Sequence, residues 1–347
     1  MIVLFIFVIA ACGRHPVPLT DQEKRKMSEL TRNLKPQCVG RYVIDIPGDA
    51  LILGGATVQG VKIESKSMSR EAFRQDIAHR GDELRQSRSI DEYPLLYEDR
   101  EIEGSDTHIF ISRSTGSSPA DREIEAYKWD RGYRIKLYIG GSDFLHPDQT
   151  TLPSIKALSV KNDVPGKTRL VFDLAKRLRG RADETVPSEP GLCFLGAFLP
   201  GQAGDHEYAW AQFVLASNRD VSIGMDSNST DHTSDTLLQR ANETNRDLEV
   251  LSGRTIRKGT VALQGMNAEE WLFTGKNDLG IQGTKCLLEA NAITSGAHSP
   301  LLTLDLDSGS PNAFMRERIQ AASMSESEAV ALWDVISRTL RPRPNGF

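Results

Sequence analysis

The sequence lacks the residue patterns that mark common enzymes and nucleic-acid-binding proteins. None of its 347 residues belongs to a GxSxG nucleophile elbow, a Walker A loop or a GxGxxG fingerprint. The seven histidines include no pair spaced i, i+4, which excludes a zinc site of the HExxH kind. The net charge of -5 disfavours nucleic acid as a partner, because such binding normally requires a basic surplus. These absences predict a chain that is not an enzyme and has no catalytic residues, cofactor or metal.

Cysteine is also scarce, with four in the chain and no CxxC motif, so redox catalysis and a zinc ribbon have no support. Cys12 lies in an N-terminal motif described below. Among the other three, Cys193 and Cys286 fall in one predicted domain and are candidates for a disulfide, which would leave Cys38 free. The alternative is that all three thiols are unpaired and buried, where they behave as small hydrophobic groups.

An apolar run at the N-terminus, Ile2 to Ala10, is too short to span a bilayer and is typical of a signal peptide. It leads into Ile9-Ala10-Ala11-Cys12-Gly13, which resembles the bacterial lipobox, although no Lys or Arg follows Met1. Small side chains admit the peptidase, and the Cys12 thiol accepts the diacylglycerol. The motif predicts a periplasmic protein anchored by lipid, and Gly13 favours the outer membrane. The alternative is an apolar N-terminus that is merely cleaved.

The length predicts two domains of about 150 residues each. A composition of 39% hydrophobic and 26% charged residues allows each of them to bury a core. Breaks in the helix and strand patterns define five segments. They are a signal peptide at 1–12, a tether with an N-terminal helix at 13–37, an N-terminal domain at 38–160, a connector at 161–190 and a C-terminal domain at 191–347.

Both domains are predicted to be α+β, with the order β-β-α-β-β-β-α and mainly antiparallel sheets with helices packed on them. The first begins with a strand at Cys38–Pro47 and the second with a strand at Leu192–Leu199. One helix in each repeats an i, i+4, i+11 apolar spacing, formed by Phe73, Ile77 and Leu84 in one and by Leu237, Ala241 and Leu248 in the other. The repetition favours a duplicated unit, and coincidence is the alternative because sequence identity between the halves is low.

Three short patterns contain residue types found in catalytic or calcium-binding sites. Asp205-His206 and Asp231-His232 lie in polar loops, and no nucleophile accompanies them, so exposed loop residues are the preferred interpretation. Asp305-Leu-Asp-Ser-Gly309 partly resembles a calcium loop but lacks the further oxygen ligands and the distal Glu. It is therefore predicted to be a turn at the end of a strand.

A basic run lies on the predicted connector. Its default interpretation is a solvated helix face, and the alternative is a patch that steers an acidic protein partner. The run consists of Lys167, Arg169, Lys176, Arg177, Arg179 and Arg181.

Four segments, in order along both halves, carry a resemblance to a known family. They are Cys38–Pro47 (CVGRYVIDIP), Pro190–Gly196 (PGLCFLG), Lys258–Leu263 (KGTVAL) and Ser325–Ile336 (SESEAVALWDVI). The set resembles the immunity proteins paired with type VI secretion lipase effectors, the group cognate to the fourth effector family. The resemblance covers most of the mature chain. It implies two α+β domains in a periplasmic protein that binds and inhibits a toxic phospholipase, and it carries over no contact residues.

The expected partner is therefore a cognate secreted lipase or phospholipase. We expect two rigid domains on a connector to occlude its lid or active-site mouth, with a membrane contact only through the N-terminal lipid anchor. The alternative function is a periplasmic lipoprotein with an envelope-assembly or ligand-binding role, which predicts a small-molecule pocket between the halves.

Overall fold

The structure is a computed structural model that describes residues 18–87, 94–145, 153–250, 252–315 and 318–347. The predicted signal peptide and Cys12 lie outside these residues. No helix in the described part of the chain is both long and apolar enough to cross a bilayer. The helices of the described chain are α1 (Asp21–Thr31), α2 (Arg70–Gln86), α3 (Pro153–Lys156), α4 (Val164–Arg177), α5 (Leu237–Glu243), α6 (Asn245–Val250) and α7 (Glu326–Ser337).

The strands fall into two groups, one on each side of the residue range 181–190. The first group is β1 (Leu34–Val39), β2 (Tyr42–Pro47), β3 (Leu51–Val58), β4 (Val61–Ser67), β5 (Leu96–Ile102), β6 (Thr107–Ser112), β7 (Asp121–Asp130), β8 (Tyr133–Ser142) and β9 (Arg179–Gly180). The second group is β10 (Gly191–Phe194), β11 (Ala197–Pro200), β12 (Glu207–Val214), β13 (Val221–Asn228), β14 (Arg254–Leu263), β15 (Met266–Lys276), β16 (Gln282–Ala290), β17 (Leu301–Ser308) and β18 (Arg341–Pro342).

Helix ends follow the capping residues in the sequence. Thr20 before α1 and Ser325 before α7 each form a complete capping box with a Glu three residues later. Ser69 caps α2 by accepting a hydrogen bond from the main-chain N–H of Ala72. These caps satisfy N–H groups that have no partner inside the helix, so each helix begins directly after its capping residue.

Several predicted strands are instead hairpins. The strand predicted at Cys38–Pro47 turns back at Gly40-Arg41 to form β1 and β2, and the strand at Leu192–Leu199 turns back to form β10 and β11. The segment from Ala56 to Ile63 likewise contains a two-residue turn between β3 and β4, Gln59-Gly60, where both φ angles are positive. Such a turn matches the twist of antiparallel strands, and glycine adopts positive φ without steric cost.

One antiparallel sheet of twelve strands runs through the whole molecule. Its order is β14-β15-β16-β17-β13-β12-β3-β4-β8-β7-β6-β5. The halves meet where β3 pairs with β12 over eight residues, from Leu51 opposite Val214 to Val58 opposite Glu207. The α+β class with mainly antiparallel sheets is thus confirmed. The expectation of two rigid domains joined only by a connector is corrected, because β3 and β12 join the halves through a continuous ladder of hydrogen bonds.

The two halves repeat the same topology. Each strand n of the first half corresponds to strand n+9 of the second, because β3-β4-β8-β7-β6-β5 and β12-β13-β17-β16-β15-β14 have the same neighbours. In both halves two hairpins precede a helix, four strands follow it, and a further helix and a short strand close the unit. The predicted repetition is confirmed, but each half has more strands than the predicted order β-β-α-β-β-β-α.

The halves also exchange elements. The short strand β18 ends the second half but pairs with β2 of the first, and β9 ends the first half but pairs with β11 of the second. The helix α1 packs on α7, with Ser325 donating a hydrogen bond to Glu23 and Lys26 paired with Glu328 at 2.9 Å. The N-terminal hairpin of each half therefore packs against elements of the other half.

The main core lies on one side of the sheet. There α4 packs on β7 and β8, α7 packs on β16 and β17, and the hairpins containing β1 and β10 cover the central strands. The residues of this core form a single cluster from Met27 to Leu340 that includes the fully buried Trp333. On the other side α2 packs on β5–β7, while α5 and α6 pack on β15 and β14. Smaller clusters lie under these helices, around Phe110 and Trp271.

The predicted connector, 161–190, is not a free linker. Val171 and Leu174 of α4 are buried against the sheet, as is Leu178 directly after the helix. The apolar spacing of this segment therefore reflects core packing, and the longest part without a helix or strand is 181–190. This correction assigns α4 to the first half, in the position that α7 occupies in the second.

Two buried arginines follow the short terminal strands at corresponding positions. Arg181 follows β9 and Arg343 follows β18, and their exposed fractions are 7% and 2%. Both donate hydrogen bonds to main-chain carbonyl groups of loops and strands around the hairpins. Arg181 donates to Ala182, Asp183, Thr185 and Phe194, and Arg343 donates to Pro187, Glu189 and Gly191.

Candidate partner-binding surface

The side of the sheet opposite the main core leaves its centre uncovered. The helix α2 lies over β5–β7, and α5 and α6 lie over β15 and β14 with Leu287 of β16 packed against the same apolar cluster, so the six strands between these groups carry no packed helix on this side, as far as the described chain goes. These strands are β8, β4, β3, β12, β13 and β17. We call this surface the open face. It crosses the junction between the halves and is built equally from both.

Strand β12 shows how the sequence sets the two sides. Ala209, Ala211 and Phe213 are buried in the main core, while the alternate residues Tyr208 and Trp210 are only half-buried and lie on the open face. Trp210 is directly opposite Gly55 of β3. A Cβ on Gly55 would lie 3.4 Å from the Trp210 indole nitrogen, an ordinary van der Waals distance, so the ring lies over the glycine. Within the described chain, this nitrogen donates no hydrogen bond.

Charge is divided across the open face. On β4, Lys62 and Lys66 are exposed and make no ion pair with any described residue, with Glu64 between them. We call the two lysines the basic strip. On the other side of Trp210 three carboxylates form the acidic strip, which consists of Asp226 of β13 and Asp305 and Asp307 of β17. Lys285 of β16 pairs with Asp307 at 3.4 Å and balances only part of this negative charge.

Two of the acidic residues differ in how they are held. Asp226 accepts a hydrogen bond of 2.6 Å from the hydroxyl of Tyr208 and a longer one from Thr303. Asp305 lies over Gly224, which has no side chain to displace it. Burial raises the pKa of Asp305 to about 6, Lys285 lowers it, and the carboxylates of Asp307 and Asp226 raise it. The Asp305 carboxylate is therefore ionised at neutral pH only at a cost to folding.

Replacing this carboxyl group by an amide is expected to stabilise the chain in a pH-dependent way. Between the unfolded pKa of 3.8 and the folded value of about 6, the native state binds more protons, so stability falls as pH rises through this window. Asp305→Asn should raise the free energy of unfolding by about 1–3 kcal/mol at pH 7.5 and much less at pH 4. Urea unfolding at both pH values measures this. Asp307→Asn, which loses an ion pair, is the control, and an equal gain at both pH values for Asp305→Asn would contradict the argument.

A groove of about 800 Å³ opens at one end of the open face. His206 and Asp231, from two of the loop pairs singled out in the sequence, both line it. His206 Nδ1 lies 3.4 Å from the Thr230 hydroxyl, and Asp231 accepts a hydrogen bond from the Asn228 amide. Both side chains are exposed, in line with the preferred interpretation, and His232 points to solvent as well. Asp305, Asp307 and Ser308 lie within β17 and only Gly309 lies beyond it, so the turn begins later than predicted.

The predicted cysteine pairing is wrong. The structure joins Cys193 to Cys38, with a Cα–Cα distance of 5.6 Å, and leaves Cys286 free and buried in the sheet. Cys38 and Cys193 occupy corresponding positions, one residue before the end of β1 and of β10. Two main-chain hydrogen bonds of 2.8 Å between Gly40 and Cys193 hold the hairpins side by side. The pairing thus follows from the contact between the repeated hairpins, which the domain-by-domain prediction placed apart.

The basic run lies on the segment predicted to be a connector, 161–190, and is only partly a surface patch. Arg181 is buried, Arg177 donates to the carbonyl of Pro200, and Arg179 pairs with Glu189 at 2.6 Å. Arg169 and Lys176 are exposed on α4, on the side of the sheet away from the open face. The described residues contain no group of three or more His, Cys, Asp or Glu side chains placed to hold a metal ion.

The molecule is an α+β protein of two exchanged repeats that presents a large polar sheet surface. Sequence models of the Tle cognate immunity protein 4 family match both halves, the N-terminal domain at residues 35–181 and the C-terminal domain at residues 185–345. The chain therefore belongs to this family, and the resemblance proposed from the sequence is confirmed. The family boundary falls between residues 181 and 185, where the structure passes from β9 to the loop before β10.

Solved structures show the same fold. A chain in the crystal structure of a Tle4–Tli4 complex aligns with a TM-score of 0.71 at 21% identity, over 91% of this chain and 99% of that one. The apo immunity protein TplEi of the type VI secretion system of Pseudomonas aeruginosa aligns with 0.69 at 21% identity, over 91% and 100%. TplEi complexed with an "L" peptide aligns with 0.64 at 22% identity, over 90% and 98%. A search of curated proteins finds no match.

Proposed function

We propose that the mature chain is an immunity protein that binds a cognate type VI secreted lipase or phospholipase and inhibits it. Membership of the Tle cognate immunity protein 4 family, over both halves of the chain, is the observation that carries this proposal. The chain itself performs no reaction. It acts by occluding the lid or the active-site mouth of the effector.

The fold suits such a role because its surface is preformed. The eight-residue pairing of β3 with β12, the exchanged hairpins and the Cys38–Cys193 disulfide all join the halves. A rigid surface loses little conformational entropy on binding, which favours tight association. An enzyme that must open a lid at a membrane is blocked when a rigid body holds the lid in its closed position.

The test requires a lipase encoded beside the gene of this chain, called the neighbouring lipase below, and mixes it in purified form with the purified mature chain. Hydrolysis of phospholipid vesicles is expected to fall to background at a molar ratio near one. A lipase of a different effector family is the matched control and should keep its activity. Full activity of the neighbouring lipase in a molar excess of this chain would contradict the proposal.

We also infer that the protein works in the periplasm, anchored to the outer membrane through lipid on Cys12. The lipobox-like sequence ending at Cys12 supports this. An anchor concentrates the inhibitor near the membranes that a lipase attacks. Fractionation of cells that produce the Cys12→Ser chain tests the inference, since a protein that stays with the membrane without Cys12 has another anchor.

A further inference from the structure

The open face is large enough to be a complete protein interface. Six strands spaced about 4.8 Å apart and about eight residues long, at about 3.3 Å per residue, give roughly 750 Å². Specific protein complexes of standard size bury about 800 Å² on each partner. The elements around the face already have their own partners, since α2 and the pair α5 and α6 each cover a separate apolar cluster.

The centre of the face has the character of a binding anchor. Trp210 lies on a central strand, is half-buried, and presents an indole N–H that no described residue accepts. Tryptophan is enriched among the residues that contribute most to protein–protein affinity, and such residues cluster near the middle of interfaces. Gly55 lies opposite Trp210 on the neighbouring strand and adds no side chain to the surface there, and Tyr208 extends the aromatic surface along β12.

The charges beside this anchor define what the face accepts. The acidic strip has three carboxylates and one nearby ammonium group, that of Lys285. The basic strip carries two lysines that make no ion pair within the described chain, and the exposed Glu64 between them offsets only one of the two charges. A segment that covers both strips must therefore supply positive charge on the β13 and β17 side and negative charge on the β4 side, because uncompensated charges are costly to desolvate.

We propose that the open face is the effector-binding surface and that its occupant is a projecting polypeptide segment of the lipase. This segment brings an apolar side chain to Trp210, a basic side chain to Asp226 and Asp305, and an acidic side chain to Lys62 and Lys66. The proposal rests on the proposed function, since the lipase is the partner. The exposed arginine and lysine of α4, on the other side of the sheet, then contribute nothing to binding.

The experiment measures the affinity and association rate of the purified full mature chain for the neighbouring lipase. Trp210→Ala is expected to weaken binding at least about 30-fold, the factor that corresponds to a hot-spot residue. Lys62→Glu with Lys66→Glu should weaken it about 10-fold, mainly through slower association, with a loss that shrinks at high salt. The matched control is Arg169→Glu with Lys176→Glu on α4, the same double charge reversal on the opposite side, which should change affinity less than about twofold.

The outcomes separate the possibilities. If the wild-type chain does not bind the lipase, the proposed function fails. If it binds and the α4 variant loses affinity while the open-face variants keep it, the function stands and this surface assignment is overturned. The assignment is also overturned if the open-face variants change only the oligomeric state, measured by light scattering, because a second copy is then the occupant. Lys62 and Lys66 are exposed, so their variant remains informative even if Trp210→Ala lowers thermal stability.

Discussion

Removing the Cys38–Cys193 disulfide is expected to lower the free energy of unfolding by about 3–5 kcal/mol. The two cysteines are 155 residues apart, and the chain-entropy relation gives about 5 kcal/mol for closing a loop of that length. Both side chains are nearly fully buried and pack with Phe198, so the alanine variants also lose apolar contacts. Urea unfolding of the Cys38→Ala, Cys193→Ala chain under oxidising conditions measures the effect.

Two comparisons isolate the covalent bond from the packing. The wild-type chain in excess thiol should approach the stability of the double variant, since reduction removes the same constraint from the unfolded state. Cys286→Ala is the control for loss of a buried thiol that forms no disulfide, and its midpoint should be unaffected by thiol. A wild-type chain whose urea midpoint is the same with and without thiol would show that the two sulfurs are not bonded.

Local features of the fold were predictable because they depend on neighbours in sequence. The capping boxes at Thr20 and Ser325 are visible in the sequence and mark two helix starts, and the alternation of apolar and polar residues along β8 marks its buried side. The turn at Gly40-Arg41 was missed because apolar residues on both sides, Val39 and Tyr42, make one continuous strand-like run. The turn at Gln59-Gly60 had a usable signal in the glycine, but the β-branched residues around it favoured an uninterrupted strand.

The exchange of hairpins and the disulfide depend on contacts between distant parts of the chain. Nothing near Cys193 in sequence distinguishes Cys38 from Cys286 as its partner. The pairing becomes clear only when β1 and β10 are recognised as equivalent strands that contact each other. The equivalent cysteines of the two strands then lie side by side. The open face was missed for a similar reason. The alternation of Tyr208 and Trp210 with alanines was visible, but the small residues gave no indication that they form the buried side.

The two halves are expected to be unable to fold separately. Residues 18–184 alone would lack α7 and β18, against which α1 and β2 pack, and residues 185–347 alone would lack the hairpin that β18 completes. Each fragment would also expose the central strand, β3 or β12, as a long unpaired edge, which promotes aggregation. We expect neither fragment to show a cooperative thermal transition, and an equimolar mixture refolded under oxidising conditions to recover one.

A chain cut in the loop between residues 184 and 189 is the control for loss of connectivity, because this loop lies outside the helices and strands. The cut protein should stay assembled, keep a single transition and hold its two fragments together until thiol and denaturant are both added. A fragment 18–184 that melts cooperatively near the wild-type temperature would contradict the role of the exchanged hairpins. It would mean that β1 and β2 find a partner within their own half, and that the family boundary at residues 181–185 separates two independent domains.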